Sequence, residues 1–289
     1  MRKILFFFLI PSFLLAIEEK EGTFGGDFLR IERGYICGDI ESVSQNPAII
    51  GTLEGPSFLF GYKSYLCETK YSSLALSIPF KNIAILYSLN YLDYGRIKET
   101  THNSKDGTGR EYSADSICSR FGLGVKTKNA GFGGNINIVR ESINDINADG
   151  IETSFGFIFN PIESLFLGGS IKNITLKSLS FIKEKEIFPK EFGIGVGYKK
   201  RKIAFNLDLL TSDDRKFDAS LGFKWFINSL FFLNVGYIDK NPDFGLSFNH
   251  KNISISYNFL PLSFESVHSI SVTIQPQIDT DETLIFNPL

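Results

Sequence analysis

The sequence predicts an all-β fold, an antiparallel transmembrane β-barrel of about fourteen strands. Three observations predict it. A period-two alternation of apolar and small or polar residues recurs from Ser57 to Gln275, as expected of strands with two unlike faces. The connections between these stretches alternate between short and long, the loop asymmetry of outer-membrane barrels. A soluble sandwich has no reason to sort its loops by parity. Finally, no segment after the first sixteen residues is apolar for the roughly 18 residues a membrane helix needs. A chain of this kind crosses a bilayer only as a closed barrel.

The first segment, residues 1–16, reads as a secretory signal. Arg2 and Lys3 give the charged start, Ile4 to Leu15 the apolar run, and Ala16 the cleavage point before Glu18-Glu19. Residues 17–55 sustain no strand period. They hold Gly22, Gly25 and Gly26, the charged run Arg30-Ile31-Glu32-Arg33, and Asn46-Pro47-Ala48. Proline fixes its own φ and restricts Asn46, so this tripeptide makes a stiff corner.

Residues 56–275 are then read as strand, turn, strand. Each strand has an apolar face. The first four faces are Phe58, Phe60 and Tyr62; Leu74, Leu76, Ile78 and Phe80; Ile83, Ile85, Tyr87, Leu89 and Tyr91; and Ile117, Phe121, Leu123 and Val125. Phe132, Ile136 and Ile138 follow, then Ile151, Phe155, Phe157 and Phe159, then Leu165, Leu167 and Ile171. The eighth is Phe192, Ile194, Val196 and Tyr198, with bare glycine opposite at Gly193, Gly195 and Gly197. The last six run through Ile203–Leu209, Phe217–Trp225, Phe231–Tyr237, Phe244–Phe248, Ile253–Phe259 and Ile270–Ile274. Most are near the 9–11 residues a tilted spanning strand requires. The short connections include Asn228-Ser229 and Lys251-Asn252. The longer ones include Gly95–Ser113, Glu141–Gly150 and Leu176–Phe188. Residues 276–289 form a C-terminal tail, expected to be periplasmic.

The apolar faces are assigned to lipid, which puts the opposite parity in the lumen. Lys63, Arg120, Lys126, Lys172, Asp208, Asp218 and Lys224 become lumen-facing candidates for contact with a solute or with inner chain segments. Gly193, Gly195 and Gly197 leave a flat wall where another backbone can approach closely. They lie within a strand with no helix following, so they are not a phosphate loop.

Composition excludes several classes. With 30 basic and 32 acidic residues there is no electrostatic case for nucleic acid. Three His and three Cys, Cys37, Cys67 and Cys118, lack metal spacing, and the odd cysteine count argues against a disulfide framework. No cofactor or metal is expected. His250 and His268 fall on the lipid-facing parity while the serines of the last two strands face inward. No nucleophile and base would meet, so no enzyme is expected.

Several short pieces, in order, give the chain a resemblance. They are Gly22-Thr23, Phe28-Leu29-Arg30-Ile31, Asn46-Pro47-Ala48, Tyr91-Leu92-Asp93-Tyr94-Gly95, Phe121–Val125, Phe192–Tyr198, Asn234–Tyr237 and His268–Val272. With these the chain resembles the PorV/PorQ group of FadL-like outer-membrane β-barrel proteins over most of its mature length. The resemblance implies a fourteen-stranded barrel whose residues 17–55 fold into the lumen as a plug, with Asn46, Pro47 and Ala48 at the corner where plug meets wall. It implies an outer-membrane location in a Gram-negative-type bacterium, with outer-membrane lipid and the barrel assembly machinery as partners. Two functions follow from it: transport of hydrophobic or other small solutes, or a type IX secretion component that binds or shuttles secreted proteins. Two departures stand out. Only Glu32–Gln45 separates the Phe-Leu-Arg-Ile and Asn-Pro-Ala pieces, and the chain continues past its last strand instead of ending on it.

Overall fold

The computed structural model describes residues 36–37, 40–65, 68–100, 104, 108–181, 184–213, 215–238, 241–262 and 266–276. The signal segment, residues 17–35, Cys67 and most of the tail lie outside the described residues. Fourteen antiparallel strands close into one barrel. They are β1 (Ser57–Ser64), β2 (Lys70–Phe80), β3 (Ile83–Lys98), β4 (Glu111–Lys126), β5 (Ala130–Ile143), β6 (Ile146–Ile162), β7 (Leu165–Lys177), β10 (Glu191–Lys200), β11 (Ile203–Ser212), β12 (Arg215–Phe226), β13 (Phe231–Ile238), β14 (Asn241–His250), β15 (Ile253–Pro261) and β16 (Ser266–Ile274). β1 pairs with β16 and seals the barrel. A small hairpin, β8 (Leu179–Phe181) and β9 (Glu184–Glu186), lies inside the β7–β10 connection.

The expected parity is explicit in β3. Ile83, Ile85, Tyr87, Leu89 and Tyr91 are exposed, while Ala84, Leu86, Ser88, Asn90 and Leu92 between them are buried. Every barrel strand contributes to the same outer apolar surface, from Phe60 on β1 to Ile270 on β16. In water such a surface would cost about 25 cal/mol per Å². Against acyl chains the cost disappears, so the barrel is one that spans a bilayer. At the terminal rim one aromatic group suits the head-group zone: Phe231 lies 5.2 Å from Phe248, and His250 stacks on Phe248.

Because the strands alternate, β1 begins and β16 ends at the same rim, called here the terminal rim. Its connections are tight. In the two-residue turns Lys81-Asn82, Arg201-Lys202 and Lys251-Asn252 the first residue is left-handed, with φ of +55°, +50° and +51°. The opposite, loop rim differs from expectation. The predicted loop Glu141–Gly150 is a continued ladder that pairs down to Ile143 and Ile146. The β11–β12 and β13–β14 ladders likewise run on, to the pairs Ser212–Arg215 and Ile238–Asn241. The physical reason is that the outward side chains turn polar above the bilayer while the hydrogen-bonded ladder carries on. Arg140 and Asp149, paired at 2.7 Å and well exposed, mark that change. The asymmetry is therefore largely one of strand length. β3 to β6 have 16, 16, 14 and 17 residues, whereas β13 to β16 have 8 to 10.

Two apolar clusters lie within the barrel. Near the terminal rim Ile40, Val43, Ala48, Ile49 and Ile50 of the N-terminal segment pack on Ala84, Leu86 and Ile158 of the wall. Near the loop rim Leu179 and Phe188 of the β7–β10 connection fold inward onto Leu92, Cys118, Val139 and Ala148. These wall residues have lumen parity, and each is apolar because chain, not water, covers it.

Candidate functional site: the lumen

The described part of the N-terminal segment, residues 36–37 and 40–54, lies against the inner faces of β3 to β7, β10 and β11. A 3-10 turn (Ile40–Ser42) leads to the Asn46-Pro47-Ala48 corner and one short helical turn, α1 (Ile49–Thr52). Asn46 is fully buried and ties this path together. Its Nδ2 donates to the carbonyl oxygens of Ile36 at 2.9 Å and of Phe157 on β6 at 3.1 Å. Its Oδ1 accepts the backbone N–H of Ala48 at 3.0 Å. One side chain thus fixes the turn, holds the preceding strand of chain and fastens both to the wall.

Glycine makes the approach possible. A Cβ on Gly124 would sit 2.6 Å from the Cα of Gly51, and one on Gly133 would run into the carbonyl of Pro47. Neither neighbour is a movable side chain end, so any larger residue there displaces backbone. Gly193, Gly195 and Gly197 face the same segment. A Cβ on them would lie 2.7 Å from Ile36 Cδ1, 2.8 Å from Ile36 Cβ and 2.9 Å from Cys37 Cβ respectively.

The seven lumen-facing candidates fall into distinct places. Asp208, 1% exposed, accepts the Ile36 backbone N–H on Oδ2 at 3.0 Å. Lys172, 5% exposed, holds Glu191 at 2.6 Å and donates to Gln45 Oε1 at 2.8 Å. Arg120 is also buried. Lys126 is half-exposed at the terminal rim, 3.6 Å from Glu54. Asp218 is half-buried near the start of β12. Lys63 and Lys224 each lie over an aromatic ring, Tyr71 at 5.7 Å and Phe232 at 4.7 Å. So Lys172 and Asp208 bind the N-terminal segment, whereas Lys63, Arg120 and Lys224 stand on other parts of the inner wall.

The sequence reading did not single out Glu152 or Asn137 as site residues. Both are buried. Arg120 Nε donates to Asn137 Oδ1 at 3.0 Å, and Asn137 Nδ2 donates to Glu152 Oε1. Register produces this row: Ser88, Arg120, Asn137 and Glu152 are successive cross-strand partners on β3, β4, β5 and β6. The polar row separates the two apolar clusters. The signal available in sequence was charge on inward parity in neighbouring strands.

Beside the N-terminal segment the lumen retains a cavity of about 250 Å³. Its lining comes from Ser42 to Ser44, from β1 to β4 and from β11 to β16. Among the described residues that line it, Lys63, Arg120, Lys224 and Asp243 are charged. On the outer face His268 Nδ1 and the Tyr257 hydroxyl lie 2.7 Å apart, beside Phe259, while Ser256 is buried on the other face. Among the described residues no group of three or more His, Cys, Asp or Glu is placed to hold a metal ion.

No protein-family model matches the chain, and no curated protein matches it. Solved structures do. The Pseudomonas putida toluene transporter TodX is similar with a TM-score of 0.63 at 12% identity, over 82% of this chain and 94% of that one. A TodX mutant, described as a monoaromatic hydrocarbon channel, gives 0.61 at 13% identity, over 82% and 94%. A Pseudomonas aeruginosa FadL homologue gives 0.56 at 9% identity, over 81% and 94%. At these identities the likeness is one of architecture: the chain has the barrel fold of FadL-type transporters.

Proposed function

We propose that the chain is an outer-membrane transport protein that passes small solutes through its lumen, with residues 17–55 acting as a plug. The observation that carries the reading is the cavity of about 250 Å³ kept beside the N-terminal segment, inside a barrel whose other side is filled by two packed clusters. A purely structural barrel gains nothing from such a space, since empty or solvated volume forfeits packing. The fold likeness to TodX and to a FadL homologue supports the same reading. The secretory-type start and the placement of both barrel ends at one rim suit a periplasmic terminal rim in a Gram-negative-type bacterium.

The test is a gene deletion followed for two readouts. Slower uptake of small solutes with unchanged secretion supports transport. Loss of secreted cargo with unchanged uptake supports instead the type IX role that the PorV/PorQ resemblance implies. Loss of neither contradicts both.

A further inference from the structure

We propose that the cavity is a binding site for small uncharged polyols, recognised through their hydroxyl groups, and that hydrocarbons are not its ligands. This rests on the transport reading above and names the class of solute.

Charge does not select the occupant. Each charged residue described in the lining is already engaged. Arg120 donates to Asn137 Oδ1 at 3.0 Å, Lys63 and Lys224 lie over the rings of Tyr71 and Phe232, and Asp243 also has a partner. Discrimination between solutes therefore falls to the neutral groups.

Register brings those groups together. Asn90 on β3 faces Ser73 on β2, which faces Gly61 on β1, which faces Ser271 on β16. All four line the cavity. Gly61 has no side chain, and the Ser73 hydroxyl lies in the space that a Cβ there would need. Ser88 stands two residues before Asn90 on the same inner face, about 7 Å away along the strand. Towards the far wall the Asn258 and Asn234 amides lie over Gly245 in the same manner. Between β3 and β13 stand β2, β1, β16, β15 and β14, so polar groups reach the cavity from two sides.

Three buried atoms of this lining have no hydrogen-bond partner among the described residues: Ser88 Oγ, Asn90 Nδ2 and Asn234 Oδ1. Ser88 is 4% exposed and Asn90 2%. The orientation of the Asn90 amide is fixed, because its Oδ1 accepts the Tyr71 hydroxyl at 3.1 Å. Its Nδ2 can then only donate, Asn234 Oδ1 can only accept, and the Ser88 hydroxyl does either. An occupant must offer acceptors and donors together, and a hydroxyl is both. A polyol carries several on one short skeleton. A hydrocarbon carries none and would leave the three groups desolvated and unpaired. Leu59, Ala75 and Leu86 beside them suit the C–H faces of a polyol. Size agrees: about 250 Å³ lies just below the roughly 300–1,000 Å³ of pockets for drug-sized ligands, which fits a smaller solute.

The experiment uses the full chain in proteoliposomes and follows entry of labelled D-sorbitol. Unlabelled D-mannitol, D-gluconate and toluene serve as competitors, the last at a concentration that leaves protein-free liposomes tight. Sorbitol entry should saturate, mannitol should slow it several-fold, gluconate should compete no better than mannitol, and toluene should leave it unchanged. In the double variant N90L/N234L half-saturation should need about tenfold more sorbitol, equivalent to about 1.4 kcal/mol. Heat-modifiable gel mobility checks that the variant barrel is folded; if it is not, the wild-type competition decides alone. Entry that rises linearly with sorbitol, toluene competing as well as mannitol, gluconate competing better than mannitol, or a folded variant with unchanged half-saturation would overturn the inference and leave the transport reading standing. So would proteoliposomes that exclude sorbitol yet release trapped potassium chloride. Passage of neither sorbitol nor salt above protein-free liposomes would overturn both.

Discussion

The backbone N–H of Ile36 donates to Oδ2 of Asp208 at 3.0 Å, across 172 residues of sequence. With Asn46 on Phe157 and Lys172 on Gln45, this contact fastens the N-terminal segment to three different strands of the wall. Asp208→Ala removes the only described acceptor of that N–H and is expected to loosen the segment while the barrel stays folded. Hydrogen bonds to charged groups are worth about 1.5–3 kcal/mol. Hydrogen exchange should therefore rise by at least about tenfold at Ile36 and Cys37, with the ladder amides of β3 and β4 unchanged.

Cys37 gives a chemical reporter of the same contact. Burial, aided by the Asp208 carboxylate, pushes its thiol up to about 12, far above the ordinary value near 8.5. The raised value favours the neutral thiol, so at pH 8 thiolate is scarce and alkylation slow. Site-resolved maleimide labelling should be slow in the intact protein and faster in Asp208→Ala, where both burial and the neighbouring charge are lost. Equal labelling in the two would count against the described placement of Cys37.

Gly197→Cys should crosslink to Cys37. A Cβ at that position lies 2.9 Å from Cys37 Cβ, and a small relaxation brings the pair into the 3.5–4.5 Å that a disulfide spans. Mild oxidation should give a 37–197 disulfide detectable by peptide mapping. Gly195→Leu should do the opposite and push the segment off the wall, since Ile36 occupies the space the side chain needs.

Glu152→Leu should weaken the barrel without removing it from the membrane. The change removes the buried acceptor of the Asn137 amide, whose own oxygen holds Arg120. Breaking a buried charged network on one side costs about 3 kcal/mol. The unfolding midpoint in denaturant should fall accordingly, and Arg120→Leu/Glu152→Leu together should recover part of the loss.

Phe188→Ala tests the loop-rim cluster. Phe188 is 2% exposed and lies over Gly150, where an added Cβ would meet its ring at 2.7 Å. Loss of a buried phenyl costs about 3–5 kcal/mol, more than a short hairpin can spare. Protease cleavage within residues 178–190 should accelerate while the strands remain resistant.

The strands were legible because two solvents impose one period: lipid demands Ile83, Ile85, Tyr87, Leu89 and Tyr91 on one face, and the lumen takes the other. Strand ends were less legible. Above the bilayer Arg140 and Asp149 satisfy water on the outer face, so the apolar period stops while the ladder continues. The inner clusters were hidden for a different reason. Leu179 and Phe188 flank the charged run Lys183-Glu184-Lys185-Glu186, which reads as a solvated loop. The usable sign was apolar residues on lumen parity, Leu92, Val139 and Ala148, where a water-filled lumen would want polar ones. The Arg120–Asn137–Glu152 row depends on register between three strands, which no single strand's pattern contains.

The central claim is that solutes pass through the lumen beside a clasped N-terminal segment. Conductance of the full chain in a planar lipid bilayer tests it most directly. Discrete openings in the intact protein, with larger steps in Asp208→Ala, are the predicted result. A bilayer that stays ion-tight with both proteins, each shown to be inserted and folded, would contradict it.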